Sequence, residues 1–141
     1  MKVRQATMND YLVVMQLYND FVGEDRYSRH DNDSFETVLD DPLSRVFVAE
    51  DNGKVIGFAT VSTKDIVRAP RPIAELDELF VDPASRTHGT GTALMEAVES
   101  FARSRNCYRL YMVSAYERET AHKFYEHLGY KNNGYHFQKD L

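Results

Sequence analysis

The 141-residue chain has a single cysteine, Cys107, so no disulfide can close within it, a usage that fits a reducing compartment. Basic side chains are outnumbered by acidic ones, 17 to 22, for a net charge of −5. Phosphate backbones reward basic surfaces, so nucleic acid is not expected as a partner; a small cationic molecule suits the balance better. There is no apolar run of membrane length, no lipidation motif and no signal peptide behind Met1. A cytoplasmic protein with no membrane association is therefore expected. The five histidines are scattered without metal-ligand spacing, and His122 and His127, five apart on a helical stretch, point in different directions. No metal site is expected. Repeats, low-complexity segments and linkers are also lacking. Residues 1–141 are read as one domain, long enough for one real core and too short for two.

Two familiar phosphate-binding loops are missing as well. No Gly-Lys-Ser/Thr occurs, which excludes the Walker loop. The dinucleotide fingerprint needs a third glycine where Leu94 stands and an acidic residue where Tyr111 stands. What the chain does have is Ser85-Arg86-Thr87-His88-Gly89-Thr90-Gly91-Thr92, with an apolar run, Ile73 to Val81, before it and a helical pattern after it. Strand, glycine loop and helix in that order put free backbone N–H groups at a helix N-terminus, a seat for phosphate or pyrophosphate. The bland alternative is a loop with two turn glycines.

Elsewhere, residues 2–6 read as a short strand, and Thr7 with Asp10 resembles a capping box. Val14, Leu17, Tyr18 and Phe21 recur at helical spacing up to Gly23. A short helix is expected around Phe35, Val38 and Leu39. Residues 45–50 and 54–63 read as strands joined by an Asn52-Gly53 hairpin turn. Residues 90–104 read as a helix, 107–113 as a strand and 119–128 as a helix with Gly129 as its C-cap glycine. Tyr135 to Gln138 alternates like a final strand. The strands from 73 and 107 are linked through a helix and should be parallel, so the sheet is mixed.

The strand from 73 breaks its own period. Leu76 and Leu79 are three apart, and one extra residue near Asp77 or Glu78 restores the alternation. That is the trace of a β-bulge, a feature common beside active sites; a strand buried on both faces, with a tolerated acidic pair, is the alternative.

Arg86-x-x-Gly89-x-Gly91, the strand Ala74 to Pro83 before it, and Ala121-His122-Lys123-Phe124-Tyr125-Glu126-His127-Leu128-Gly129-Tyr130 after it together resemble the GNAT superfamily of acetyl-CoA-dependent N-acetyltransferases. The resemblance runs from the first strand to the last. It implies an α+β fold: a mixed, mostly antiparallel sheet of about six to seven strands, flanking helices, and a splayed parallel pair at the coenzyme site. It implies that Arg86, Thr87, His88, Gly89, Thr90, Gly91 and Thr92 receive the coenzyme A pyrophosphate. The pantetheine arm would lie along Leu79, Phe80 and Val81, pairing with the backbone of Leu79 and Val81. Many family members carry Asn where Arg118 stands, so a coenzyme contact at Arg118 departs from the usual one.

The implied reaction is transfer of acetyl to a primary amine of a small molecule or peptide by direct attack. An alkyl amine has a pKa of about 10 and must first lose a proton. Glu75, eleven residues before Arg86, matches the glutamate base of some family members, and Asp77 and Glu78 are its rivals. Each could also be an ordinary solvated or ion-paired carboxylate. A bulge amide, that of Leu79, would hold the tetrahedral oxyanion. Tyr125 matches the tyrosine that protonates the leaving thiolate, and it also falls on the apolar helix face as a core aromatic would. Cys107 is read as a small core hydrophobe. The rival function is a catalytically silent acyl-CoA-binding module. The segment from Phe21 to Asp33 is expected to shape the acceptor side, with Glu24, Asp25, Asp31 and Asp33 suiting a cation and Arg26 and Arg29 an anion. A homodimer is expected through residues 130–141.

Overall fold

Asn52 and Gly53 form the tight turn their sequence requires, both at positive φ (49° and 78°). They join β2 (Ser44–Asp51) to β3 (Lys54–Lys64). With β1 (Lys2–Gln5), β4 (Ile73–Val81) and β5 (Arg109–Met112) these make one sheet in the order β1-β2-β3-β4-β5. The helices are α1 (Tyr11–Val22), α2 (Asp33–Asp40), α3 (Thr90–Ser104) and α4 (Glu119–His127). This computed structural model describes residues 1–23 and 33–141. The acidic and basic residues singled out between positions 24 and 31 lie outside the described residues. The chain falls into two units, Met1–Tyr111 and Met112–Leu141.

In the first unit β1, β2, β3 and β4 pair antiparallel in sequence. The helical connection returns β5 beside β4 in the parallel sense: at their starts the Tyr108 N–H donates to the Pro72 carbonyl at 3.0 Å. One face of the sheet is covered by α1 and α2, whose Val14, Leu17 and Phe35 pack with Val46, Val48, Phe58 and Phe80. The helix α3 also packs on β2, β3 and β4 and buries Leu94, Met95 and Val98.

The capping box at Thr7 forms, with the Thr7 N–H donating to Asp10 Oδ2 at 2.8 Å; it caps a 3-10 turn that leads into α1. Arg4 grips the buried Asp10 with two 2.9 Å bonds and reaches Glu50 with a third. The guanidinium hydrogen bonds hold the Asp10 carboxyl below the usual carboxylate range, against the opposing effect of burial. A depressed carboxylate contributes stability that is present above its unfolded pKa of about 4 and fades as pH falls through the folded value. Arg4→Met should therefore cost about 3 kcal/mol in urea unfolding at pH 7, since Asp10 is left buried without its cation. At pH 3 the gap between variant and wild type should narrow.

In the second unit, α4 ends in a Schellman turn: the Gly129 N–H donates to the Glu126 carbonyl (2.9 Å) and the Tyr130 N–H to that of Tyr125 (3.0 Å). The strand expected at Tyr135 to Gln138 does not form, and the described sheet has five strands. Tyr135 and Phe137 are exposed and lie against each other, ring centroids 6.5 Å apart. Alternation specifies a strand only where one face is buried, and here neither is. The argument for a dimer through a last strand loses its basis with it.

Candidate functional site

The bulge is at Asp77. Thr60 pairs with Glu78 and Val61 with Leu76, so Asp77 is the extra residue of β4. Cross-strand partners share a face, and Thr60 and Ser62 lie two apart on β3. Their partners Glu78 and Glu75 therefore both project from the α1/α2 face, although they are three residues apart. Glu78 accepts a 2.6 Å bond from the Thr60 hydroxyl, and Glu75 one of 2.7 Å from the phenol of Tyr111 on β5. Asp77 is open to solvent by accessible area, yet crowding by protein atoms raises its pKa, and the charges of Glu75 and Glu78 add to the effect. Ser62, by a hydrogen bond, and Lys64, by its charge, oppose it. The three candidate carboxylates thus gather around one bulge.

Past the bulge β4 is regular. The Asp82 N–H donates to the Ile56 carbonyl of β3 at 2.8 Å. Alternation then turns the amides of Leu79 and Val81 away from β3, toward the β5 edge. Phe80, between them, is buried in the α1/α2 core. The Arg86 side chain folds back on this strand: its Nε–H donates to the Val81 carbonyl at 3.0 Å and its guanidinium lies 5.8 Å from the Phe80 ring centroid.

The loop that follows is a 3-10 segment, Pro83–His88, begun by Asp82, whose side chain accepts from the Ala84 N–H at 3.1 Å. Gly89 closes the segment at φ 75° and is the N-cap of α3. A left-handed residue at this junction turns the chain so that the helix starts at once, and glycine takes that conformation without a Cβ penalty. No side chain caps α3, and its first intrahelical bond is the Ala93 N–H to the Gly89 carbonyl at 3.0 Å. The amides of Thr90, Gly91 and Thr92 thus precede the helix's own hydrogen-bond ladder, at its positive end. Thr90 is fully buried and its hydroxyl bonds the Ser85 carbonyl at 3.2 Å, fixing the loop to the helix. His88 is exposed.

Tyr125 lies in the second unit, half-buried on α4, its ring tilted against Phe124 and edge-on to Tyr130 at 5.4 and 6.2 Å between centroids. Burial raises its pKa, with Arg118 opposing, so the phenol holds its proton at neutral pH. Arg118 is the N-cap of α4, and its carbonyl accepts the His122 N–H at 3.1 Å. Cys107 is a half-buried thiol whose pKa burial raises. Among the described residues no group of three or more His, Cys, Asp or Glu could hold a metal, and no helix is long and apolar enough to cross a membrane.

The sequence reading gives Tyr111 and Lys64 no functional role. The signal was available in the parallel pairing: Pro72 meets Tyr108, so Glu75 meets Tyr111 at the same offset.

A mixed sheet, a bulged fourth strand and an uncapped helix behind a glycine loop define the N-acetyltransferase type of α+β fold. The chain belongs to the acetyltransferase (GNAT) family, whose model matches residues 12–130. It is 28% identical over 140 residues to the aminoalkylphosphonate N-acetyltransferase of Salmonella typhimurium, a match covering 99% of this chain and 91% of the relative. A putative acetyltransferase structure from Agrobacterium tumefaciens is 26% identical, superposes with a TM-score of 0.90, and is matched over 100% of both chains. The aminoglycoside N-acetyltransferase AAC(6')-Iy, solved in complex with CoA, shares the fold with a TM-score of 0.81 at 21% identity, over 99% of this chain and 100% of that one.

Proposed function

We propose that this protein transfers an acetyl group from acetyl-CoA to a primary amine, without a metal. The observation that carries this reading is the strand-loop-helix from Glu75 to Thr92. Its bulge at Asp77 is followed on one strand by outward amides at Leu79 and Val81, and then by the uncapped helix start behind Gly89. This arrangement fits an acyl-CoA. Backbone amides of Gly89, Thr90, Gly91 and Thr92 receive the pyrophosphate, with Arg86, Thr87 and His88 around it, and Leu79 and Val81 pair with the amide-bearing arm. Arg118, standing where the family usually has Asn, is offered as a further contact to the coenzyme. The co-substrate supplies an activated thioester.

Glu75 takes a proton from the acceptor ammonium, and the freed amine nitrogen attacks the acetyl carbon. The Leu79 N–H stabilises the oxyanion, an interaction of a kind worth about 3 kcal/mol in the barrier. As the C–S bond breaks, Tyr125 gives its proton to the thiolate; the second proton shed by the nitrogen passes through water to restore the phenol, and Glu75 releases the first to solvent. Asp77 and Glu78 stand beside Glu75 as rival bases and as anionic wall. The acceptor is accordingly a small cationic amine, as the acidic balance of the chain also suggests. The matched family region spans both units, which supports treating residues 1–141 as one acetyltransferase domain. We place it in the cytoplasm, where Cys107 remains a thiol.

Acetyl-CoA at a hundred times its Kd should stabilise the protein by about 2.7 kcal/mol. Thermal unfolding with and without it checks the binding claim. Thiol release over a panel of polyamines, amino acids, aminoglycosides, aminoalkylphosphonates and lysine peptides checks transfer. An unmoved melting temperature would overturn the whole reading. A shifted one with no thiol release would leave the silent binding module.

A further inference from the structure

Three polar side chains from three strands are linked in series. Lys64 Nζ of β3 lies 3.3 Å from the Tyr111 hydroxyl of β5, and that hydroxyl lies 2.7 Å from Glu75 Oε2 of β4. The direction of this chain is fixed by chemistry. An ammonium has only donors, so the Tyr111 oxygen must accept from Lys64, and its single hydrogen goes to Glu75. Both donors keep their protons at neutral pH. The hydrogen bond to Tyr111 is the largest influence raising the Lys64 pKa, and burial is the largest raising that of Tyr111, with the bond to Glu75 adding. Lys64 also lies 5.8 Å from the Tyr111 ring centroid, which holds the ammonium near the phenol from a second direction.

We propose that Tyr111 is a positioning residue for the transfer reaction: it occupies one oxygen of Glu75 and presents the other to the acceptor amine, with Lys64 setting the direction of its hydroxyl. This rests on the reading of Glu75 as base and deepens it. A free glutamate on a strand samples several rotamers, and its carboxylate turns about its last torsion. A short bond from a half-buried phenol on the next strand removes that freedom. Tyr111 touches no reacting atom; its effect reaches the amine through Glu75. Among the described residues, the charged and titratable groups facing Glu75 are Lys64 from β3, Tyr111 from β5, and Asp77 and Glu78 from β4 itself.

The test is a double-mutant cycle on turnover. Tyr111→Phe keeps the ring and removes the hydroxyl. It should lower kcat about tenfold, with the KM for acetyl-CoA and the acetyl-CoA thermal shift unchanged. In a Glu75→Gln background the same change should cost almost nothing further, because there is no base left to position. Lys64→Met should give a smaller loss of the same kind. Full activity in Tyr111→Phe, or a loss that simply multiplies with that of Glu75→Gln, overturns the positioning role while leaving Glu75 as base. Wild-type activity in Glu75→Gln instead overturns the base reading, as does a wild type that releases no thiol with any amine. Tyr111→Trp, which fills the space without placing a hydroxyl there, should fail to restore turnover; recovery in that variant would reduce Tyr111 to packing.

Discussion

Valine in place of Gly89 is expected to abolish the rise in melting temperature that acetyl-CoA produces. Space is not the obstacle, since a Cβ built on Gly89 meets no heavy atom within 4 Å. The obstacle is the backbone: φ is +75°, a conformation that a β-branched residue resists at a cost of about 1–3 kcal/mol. Relief of that strain rotates the peptide units on either side of position 89, and those units carry the first amides of α3. The unliganded variant should also melt earlier, so the quantity to compare is the ligand-induced shift. Gly89→Asn separates the causes. Asparagine visits the left-handed region more readily than valine, so it should keep part of the shift. A full shift in the valine variant would mean that the helix start does not hold the coenzyme.

Removing one oxygen atom from Tyr125 should be almost as damaging to turnover. Tyr125→Phe is expected to lower kcat about a hundredfold, the scale of a lost general acid. It should leave the KM for acetyl-CoA unchanged, because the ring remains to pack against Phe124 and Tyr130. Burial keeps the phenol protonated, so the wild-type rate should show no loss of this acid between pH 6 and about 9. Steady-state kinetics by thiol release, with saturating amine, measures the effect. Wild-type turnover in Tyr125→Phe would make the residue a core aromatic and nothing more.

The sequence was most legible where a local rule had one solution. Asn52-Gly53, the Thr7–Asp10 box and the Gly129 cap each form as read, since backbone geometry alone dictates them. The bulge was legible because Leu76 and Leu79 fell out of phase, and pairing places it at Asp77. The end of the chain misled: Tyr135 and Phe137 alternate with polar residues, but alternation carries no information without a surface to bury one face. Tyr111 was invisible for a different reason. Nothing in its own neighbourhood marks it, and its meaning arises only when the crossover through α3 sets the register of β5 against β4. The acceptor side was the least legible, because Glu75, Asp77 and Glu78 are chemically alike and only partners supplied by β3 and β5 tell them apart.

The Asp77 bulge also sets how this strand can change length. Deleting Asp77 would remove the extra residue and restore regular alternation, leaving Leu76 opposite Val61 and Glu75 opposite Ser62, on the sides they already occupy. A deletion in the regular part of the strand, at Leu79 or Phe80, would instead invert one row of side chains against the other. A substitution in this stretch alters one side chain, whereas a deletion away from the bulge moves many. A scan of single deletions along residues 73–81 should therefore find its mildest penalty at Asp77 and a sharp one C-terminal to Glu78.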